Sequence, residues 1–213
     1  MPAIKNIIFD LGGVLLNIDY NKTTIAFEKL GIENFDELFS QFKANDLFEK
    51  LETGQISEDE FYQSILQHTN TGADKKQIQQ AWDAMLLDFR IESLEFLKPI
   101  KGKYNIYLLS NTNSIHLSAF QKILFHQTGD QSLNGYFIKS YYSHLIGKRK
   151  PWPETYLYVL NDAELIPEET LFIDDSINNI EAAKHFEIKT HLLLPNERIE
   201  KLQLDHLISS KSI

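Results

Sequence analysis

Hydrophobic positions along the chain come in two textures. Five short runs are continuous rather than alternating: KNIIFD (5–10), YNIYLLS (104–110), YFIKSYYS (136–143), TLFIDD (170–175) and KTHLLL (189–194). An unbroken apolar run suits a strand covered on both faces, as in a parallel sheet. Between most of them, apolar residues recur at helical spacing, in SIHLSAFQKILF (114–125), PETYLYVLNDA (153–163) and SINNIEAAKHFE (176–187). Glu154 behind Pro153 makes a favourable first helical turn. Strands alternating with helices predict an α/β chain, a parallel sheet joined by right-handed crossovers.

The rhythm breaks once. Roughly 90 residues separate Asp10 from Tyr104, far more than a single crossover helix needs. The stretch 20–90 reads as helix throughout: NKTTIAFEKLG, NFDELFSQFKANDLFEKLETG, SEDEFYQSILQHT and DKKQIQQAWDAMLLDF. SEDE (57–60) is a capping-box pattern, Ser followed three residues later by Glu. The expected layout is a sheet core from 1–16 and 92–213, with a helical insert over 17–91. Phe35, Phe39, Phe42, Phe48, Phe61, Tyr62 and Trp82 fall at helical spacings and are expected to pack the insert. Asn17–Tyr20 and Phe89–Glu92 connect the two parts and are the expected hinges.

Composition narrows the class. A chain of 213 residues can hold one core plus a smaller lobe, and 43% hydrophobic with 24% charged residues is ordinary for a soluble globular protein. No apolar run approaches membrane-spanning length, and MPAIKNIIFD does not read as a leader. The chain has no cysteine, which excludes disulfides and thiol chemistry and fits a cytoplasmic location. A net charge of −9 disfavours nucleic acid and anionic membranes as partners. A small anionic substrate would need locally placed cations or a metal. HExxH, GxGxxG and GxxxxGK[ST] are absent, so zinc-hydrolase, dinucleotide and P-loop chemistry gain no support.

Open α/β sheets bind ligands at the carboxyl ends of their strands. Asp10 ends the first expected strand, and Ser110, Asn111 and Thr112 end the second. Lys148, Arg149 and Lys150 follow the third, and Asp174 and Asp175 end the fourth. Each alone has a bland explanation, as a turn, a helix cap or a solvated loop. Together they form a coherent chemical set. Asp10 suits a nucleophile that forms an aspartyl phosphate. Asp174 and Asp175 suit Mg²⁺, a hard cation that prefers oxygen ligands. Ser110 can donate to a phosphoryl oxygen, and Lys150 can neutralise charge on the transferring group.

FDLGGVL (9–15), LLSNTN (108–113), RKPWPETY (149–156) and FIDDSINNIEAA (172–183) together resemble the haloacid dehalogenase superfamily. The resemblance implies a Rossmann-like core with a helical cap inserted after the first strand. It also implies an Asp10 nucleophile and Mg²⁺ held by Asp10, the Gly12 carbonyl, Asp174 and Asp175. Ser110 and Lys150 would join Asp10 in catalysis, with Gly12, Asn111, Thr112 and Arg149 around the substrate. Asn179 occupies a position where some members place another acid. The implied partner is a small phosphorylated metabolite.

One position departs from that pattern. Phosphatases of the superfamily usually read Asp-x-Asp, the second Asp serving as general acid and base; here it is Gly12. The carbonyl survives and the proton donor does not. Gly12-Gly13 also suits a tight turn with positive φ. General acid help is worth about 10²–10⁴-fold and matters less for an acidic leaving group. An anomeric sugar phosphate, an aryl phosphate or an acyl phosphate therefore fits better than a plain alcohol phosphate. Asp-Leu-Gly with Ser-Asn-Thr-Asn resembles a subgroup that includes sugar-1-phosphate phosphatases, which makes an anomeric sugar 1-phosphate the expected substrate. Two alternatives stand beside it: a 2-haloacid dehalogenase, whose halide leaves without a proton, and a catalytically weak binding or regulatory protein. Asp19, which follows the turn, is the candidate substitute, against its plainer reading as a helix cap or solvated linker.

Overall fold

The computed structural model describes residues 3–32, 46–68, 72–202 and 204. Phe35, Phe39 and Phe42 lie outside them. Five strands form one sheet: β1 (Asn6–Phe9), β4 (Asn105–Ser110), β5 (Lys139–Tyr142), β6 (Thr170–Asp174) and β7 (Lys189–Leu192). Their order is β5-β4-β1-β6-β7, and every pairing is parallel. The chain runs outward from β1 to β5, then returns to fill the other side. That reversal at β1 is where open sheets leave a crevice for ligands.

Alternation along β1 explains why its run is unbroken. Ile7 and Phe9 join one buried cluster with Leu94, Leu97, Phe120 and Ile173. Ile8 joins another with Leu109, Tyr156, Phe172 and Ile180. Both faces are thus covered by helices, α5 (Ile91–Ile100) and α6 (Ser114–Thr128) on the first and α8 (Pro153–Asp162) and α9 (Ile177–Lys184) on the second. Local signals agree with the elements. Asn113 caps α6 by accepting from the His116 amide, and α6 ends at Gly129 with φ +84°. Pro153 stands in the first turn of α8.

Among the described residues, four helices lie between β1 and α5: α1 (Tyr20–Lys29), α2 (Asp46–Glu52), α3 (Glu58–His68) and α4 (Lys75–Asp83). The expected capping box starts α3, with the Glu60 carboxylate on the Ser57 amide and the Ser57 hydroxyl on the Glu60 amide. These helices enclose a separate core of Phe27, Phe48, Phe61, Tyr62, Ile78 and Trp82. Phe48 stacks on Trp82 with centroids 5.0 Å apart, and Trp82 stacks on His116 of α6 at 4.8 Å. That column of rings ties the lobe to the sheet core.

Helix does not fill 20–90. Helix α4 stops at Asp83, and Leu86–Phe89 is a strand, β3, antiparallel to β2 (Leu16–Ile18). The apolar run MLLDF fits either period, and tertiary pairing decides for strand. Arg90 reinforces the crossing, with Nε donating to Asn17 Oδ1 at 2.8 Å and Nη1 to the Val14 carbonyl at 3.1 Å. No helix among the described residues is long and apolar enough to cross a membrane.

Candidate active site

Register sets the first distances. Phe9 pairs with Ile173, so the next residues, Asp10 and Asp174, come side by side at the strand ends. The Asp10 amide donates to the Ile173 carbonyl at 2.9 Å, holding it in the ladder. Phe9 also pairs with Leu108, which sets Ser110 just beyond Asp10 on the neighbouring strand.

Lys150 occupies the space between the acids. Its ammonium donates to Asp10 Oδ1 at 2.7 Å and to Asp174 Oδ2 at 2.6 Å, and only 1% of its side chain is exposed. A buried ammonium is costly unless paired, and here two carboxylates pair it. Asn111 fixes its backbone: Asn111 Nδ2 donates to the Lys150 carbonyl and the Lys150 amide to Asn111 Oδ1, both at 2.8 Å. Asp174 is satisfied further by the Ser176 amide and by Asn179 Nδ2, 3.0 and 3.1 Å from its two oxygens. Asn179 thus keeps an acid in place rather than supplying one.

Gly13 takes φ +71°, and a Cβ there would sit 1.9 Å from Asp175 Oδ2. Only glycine allows that approach. Gly12 has no such constraint: it is not among the positive-φ residues, and a Cβ would meet only Ile18 side-chain carbons, the nearer at 3.3 Å. The turn therefore accounts for Gly13 and not for Gly12.

Oxygens of Asp10, Asp174 and Asp175 lie within 4.8 Å of one another. Three carboxylates facing one ammonium leave excess negative charge when all are ionised. Burial pushes Asp10 up to about 8, against the pull of Lys150, with Asp174 and Asp175 adding to the rise. Burial and then Asp174 push Asp175 up to about 6. Lys150 moves up: burial opposes its charge, but Asp10 and Asp174 together outweigh it. The site thus has an electrostatic deficit that a hard divalent cation on oxygen ligands would relieve.

The acids open into a cavity of about 190 Å³. Asp10, Gly12, Ser110, Asn111, Thr112, Arg149, Lys150 and Asp175 all line it, so the sequence's candidates converge on one place; Asp174 lies behind Lys150. Their freedom to meet a ligand differs. Among the described residues, the Ser110 hydroxyl makes only a 3.4 Å contact, to the Asn111 carbonyl. Thr112 has its amide and carbonyl tied to the Ser143 hydroxyl, and the Asn111 side chain is committed to Lys150. Arg149 turns to the lobe, its Nε 2.9 Å from Glu52 Oε2 and its Nη1 3.5 Å from Glu49 Oε2. Asp19 caps α1 through the Asn21 amide and is not part of the lining.

The far wall comes from the lobe and its stalk: Ile18, Glu52, Trp82, Met85 and Leu86, with His116 of the core. Sequence reasoning assigned none of these to the site. Glu52 carries no distinguishing sequence signal, being one of three acids, with Asp46 and Glu49, on a seven-residue helix.

A family model described as haloacid dehalogenase-like hydrolase matches residues 4–187. The chain belongs to the haloacid dehalogenase-like hydrolases. It is 35% identical over 187 residues to a D-ribitol-5-phosphate phosphatase of Bacteroides thetaiotaomicron, covering 88% of this chain and 90% of that one. Among solved structures, it resembles a haloacid dehalogenase family enzyme of the same organism, an aspartate-to-alanine variant in complex with magnesium and inorganic phosphate. The TM-score is 0.87 at 36% identity, over 92% of this chain and 96% of that one. A haloacid dehalogenase-like family hydrolase of Porphyromonas gingivalis superposes with a TM-score of 0.88 at 30% identity, over 99% and 100% of the two chains. The expected α/β fold and hydrolase family are therefore those of this chain.

Proposed function

We propose that this hydrolase is a Mg²⁺-dependent phosphatase of small sugar or polyol phosphates, acting through an aspartyl phosphate at Asp10. The observation that carries the reading is Lys150 between Asp10 and Asp174, 2.7 and 2.6 Å from them, beside Asp175. It ties up Oδ1 of Asp10 and leaves Oδ2 to attack. The relative named for D-ribitol 5-phosphate and the related structure holding magnesium and phosphate support the same substrate class and metal.

In the first half-reaction, Asp10 Oδ2 attacks phosphorus. The bond from phosphorus to the ester oxygen breaks, and that oxygen leaves with the electron pair. In the second, a water oxygen attacks phosphorus and the acyl-phosphate P–O bond breaks, which frees phosphate and restores the Asp10 carboxylate. A proton from that water balances the one taken up by the leaving oxygen, through solvent. Lys150 faces the charge that grows on the phosphoryl oxygens, and the lightly engaged Ser110 hydroxyl donates to one of them. Asp10, the Gly12 carbonyl, Asp174 and Asp175 would hold Mg²⁺, which when bound supplies charge neutralisation between the carboxylate nucleophile and the phosphate.

The absence of a side-chain acid at Gly12 favours a finer reading: leaving groups that need little protonation, such as the anomeric oxygen of a sugar 1-phosphate. The test is a purified panel of glucose 1-phosphate, glucose 6-phosphate, ribitol 5-phosphate and p-nitrophenyl phosphate, with Mg²⁺ and with EDTA. Hydrolysis lost in EDTA, and faster on glucose 1-phosphate than on glucose 6-phosphate, is expected. Equal or reversed rates remove the leaving-group argument. Halide release from a 2-haloacid that persists in EDTA would replace the phosphatase reading altogether.

A further inference from the structure

The cavity has two unlike walls, and the lobe wall carries a charge that the phosphoryl chemistry does not use. Glu52 closes α2, and Phe48 lies one turn before it. Residues four apart share a helix face. The face that stacks Phe48 on Trp82 therefore also turns Glu52 inward, and Glu52 lines the cavity that holds Asp10 and Lys150. Its side chain is 15% exposed. The turn that follows is set tightly on the core: Gly54 has φ +68°, and a Cβ there would come 2.3 Å from the His144 carbonyl oxygen. The carboxylate is thus held by a docked turn, not left on a mobile arm.

Arg149 steadies Glu52 without exhausting it. Nε and Oε2 approach to 2.9 Å, an ion pair made through one of the two carboxylate oxygens. The contact is ionic, and the carboxylate keeps acceptor capacity. Glu49 shares the same guanidinium, so two carboxylates stand against one cation and this wall stays electronegative. Burial raises the Glu52 pKa and Arg149 opposes the rise. His116 adds a second acceptor. Its Nε2 lies 3.0 Å from the Trp82 carbonyl, which can only accept, so Nε2 bears the proton. Burial pulls the ring's pKa down to about 4, so Nδ1 is left as a bare acceptor.

We infer that Glu52 is a specificity-determining residue that accepts a hydrogen bond from a hydroxyl on the uncharged end of the substrate. A wall of acceptors selects substrates that offer hydroxyl donors there, as sugars and polyols do. It disfavours monophosphates with a second anionic group, such as a phosphorylated sugar acid. This inference rests on the phosphatase reading and narrows its substrate class.

The test is steady-state kinetics of the full chain with Mg²⁺, comparing Glu52→Gln and Glu52→Ala with the parent. The substrates are ribitol 5-phosphate, p-nitrophenyl phosphate and 3-phosphoglycerate. Glu52→Ala is expected to lower kcat/KM for ribitol 5-phosphate about tenfold or more, the worth of one hydrogen bond to a charged group. p-Nitrophenyl phosphate has no hydroxyl to read and should stay within about threefold, which also reports correct folding. Glu52→Gln, nearly isosteric, should narrow the gap between ribitol 5-phosphate and 3-phosphoglycerate. Parallel losses on ribitol 5-phosphate and p-nitrophenyl phosphate in both variants, or no change in either ratio, overturn the assignment. A parent that cleaves p-nitrophenyl phosphate while Glu52 variants leave the ratios unmoved fails this inference alone. A parent that cleaves no phosphate ester overturns the phosphatase reading and this assignment with it.

Discussion

The sheet edge and the lobe wall enclose the same cavity by opposite means. At the sheet edge, charged groups are locked by short hydrogen bonds: Lys150 to two acids, Asn111 to both ends of the Lys150 peptide unit, Asn179 to both oxygens of Asp174. At the lobe wall, apolar residues and a stacked column of rings set the shape, and polar groups are few. Preorganised charge suits the developing charge of a transferring phosphoryl group. An apolar wall with a few placed acceptors suits recognition of the rest of a small molecule. On the proposed mechanism, reaction and selection are divided between two parts that can be perturbed separately.

Four changes would break or sharpen that division, the largest first. Lys150→Met removes the cation from the sheet edge and leaves Asp10 and Asp174 to repel. Turnover should fall about 10²–10³-fold on every substrate alike. Without metal, the variant should also unfold about 3–5 kcal/mol more easily, measured by denaturant titration. A loss confined to ribitol 5-phosphate would contradict the division.

Gly12→Asp restores the missing acid, and the backbone permits it, since Gly12 is not held at positive φ and a Cβ there meets only Ile18 side-chain carbons. Poor leaving groups should gain relative to good ones by up to about 10²-fold, read as the ratio of glucose 6-phosphate to p-nitrophenyl phosphate turnover. An unchanged ratio would separate Gly12 from leaving-group preference.

A smaller effect concerns pH. Carboxylates raised to about 8 at Asp10 and about 6 at Asp175 hold protons that a cation must displace. Raising pH from about 6 to about 8 removes that competition. The Mg²⁺ concentration for half-maximal activity should therefore fall several-fold over the interval. Gly13→Ala, by crowding Asp175 Oδ2, should raise that concentration at every pH.

Legibility in the sequence followed the same line. The continuous runs ending at Asp10, Ser110 and Asp174 announced buried parallel strands, because covering both faces leaves no polar alternation. Ligand chemistry at the ends of such strands follows from topology, so Asp10 and Ser110 meet in the cavity and Asp174 stands behind Lys150 at its edge. The partners inside the site were less visible. Asn111 and Arg149 point to the Lys150 backbone and to Glu52, respectively, which depends on loop geometry that spacing does not encode. The β2–β3 stalk was missed because MLLDF carries no period that separates strand from helix. The place of Glu52 in the cavity was not legible because it depends on the direction of one helix face, set by Phe48 stacking on Trp82.

The most direct test of Asp10 as the seat of the reaction is capture of the phosphorylated enzyme. The full chain, turning over p-nitrophenyl phosphate with Mg²⁺, is quenched in acid, digested and mapped by mass spectrometry, beside Asp10→Asn. The aspartyl-phosphate mechanism predicts one phosphoryl group on the peptide that contains Asp10, no such peptide in Asp10→Asn, and turnover lower by about 10³-fold or more in that variant. A phosphoryl group on another residue, or turnover that survives Asp10→Asn, would contradict it.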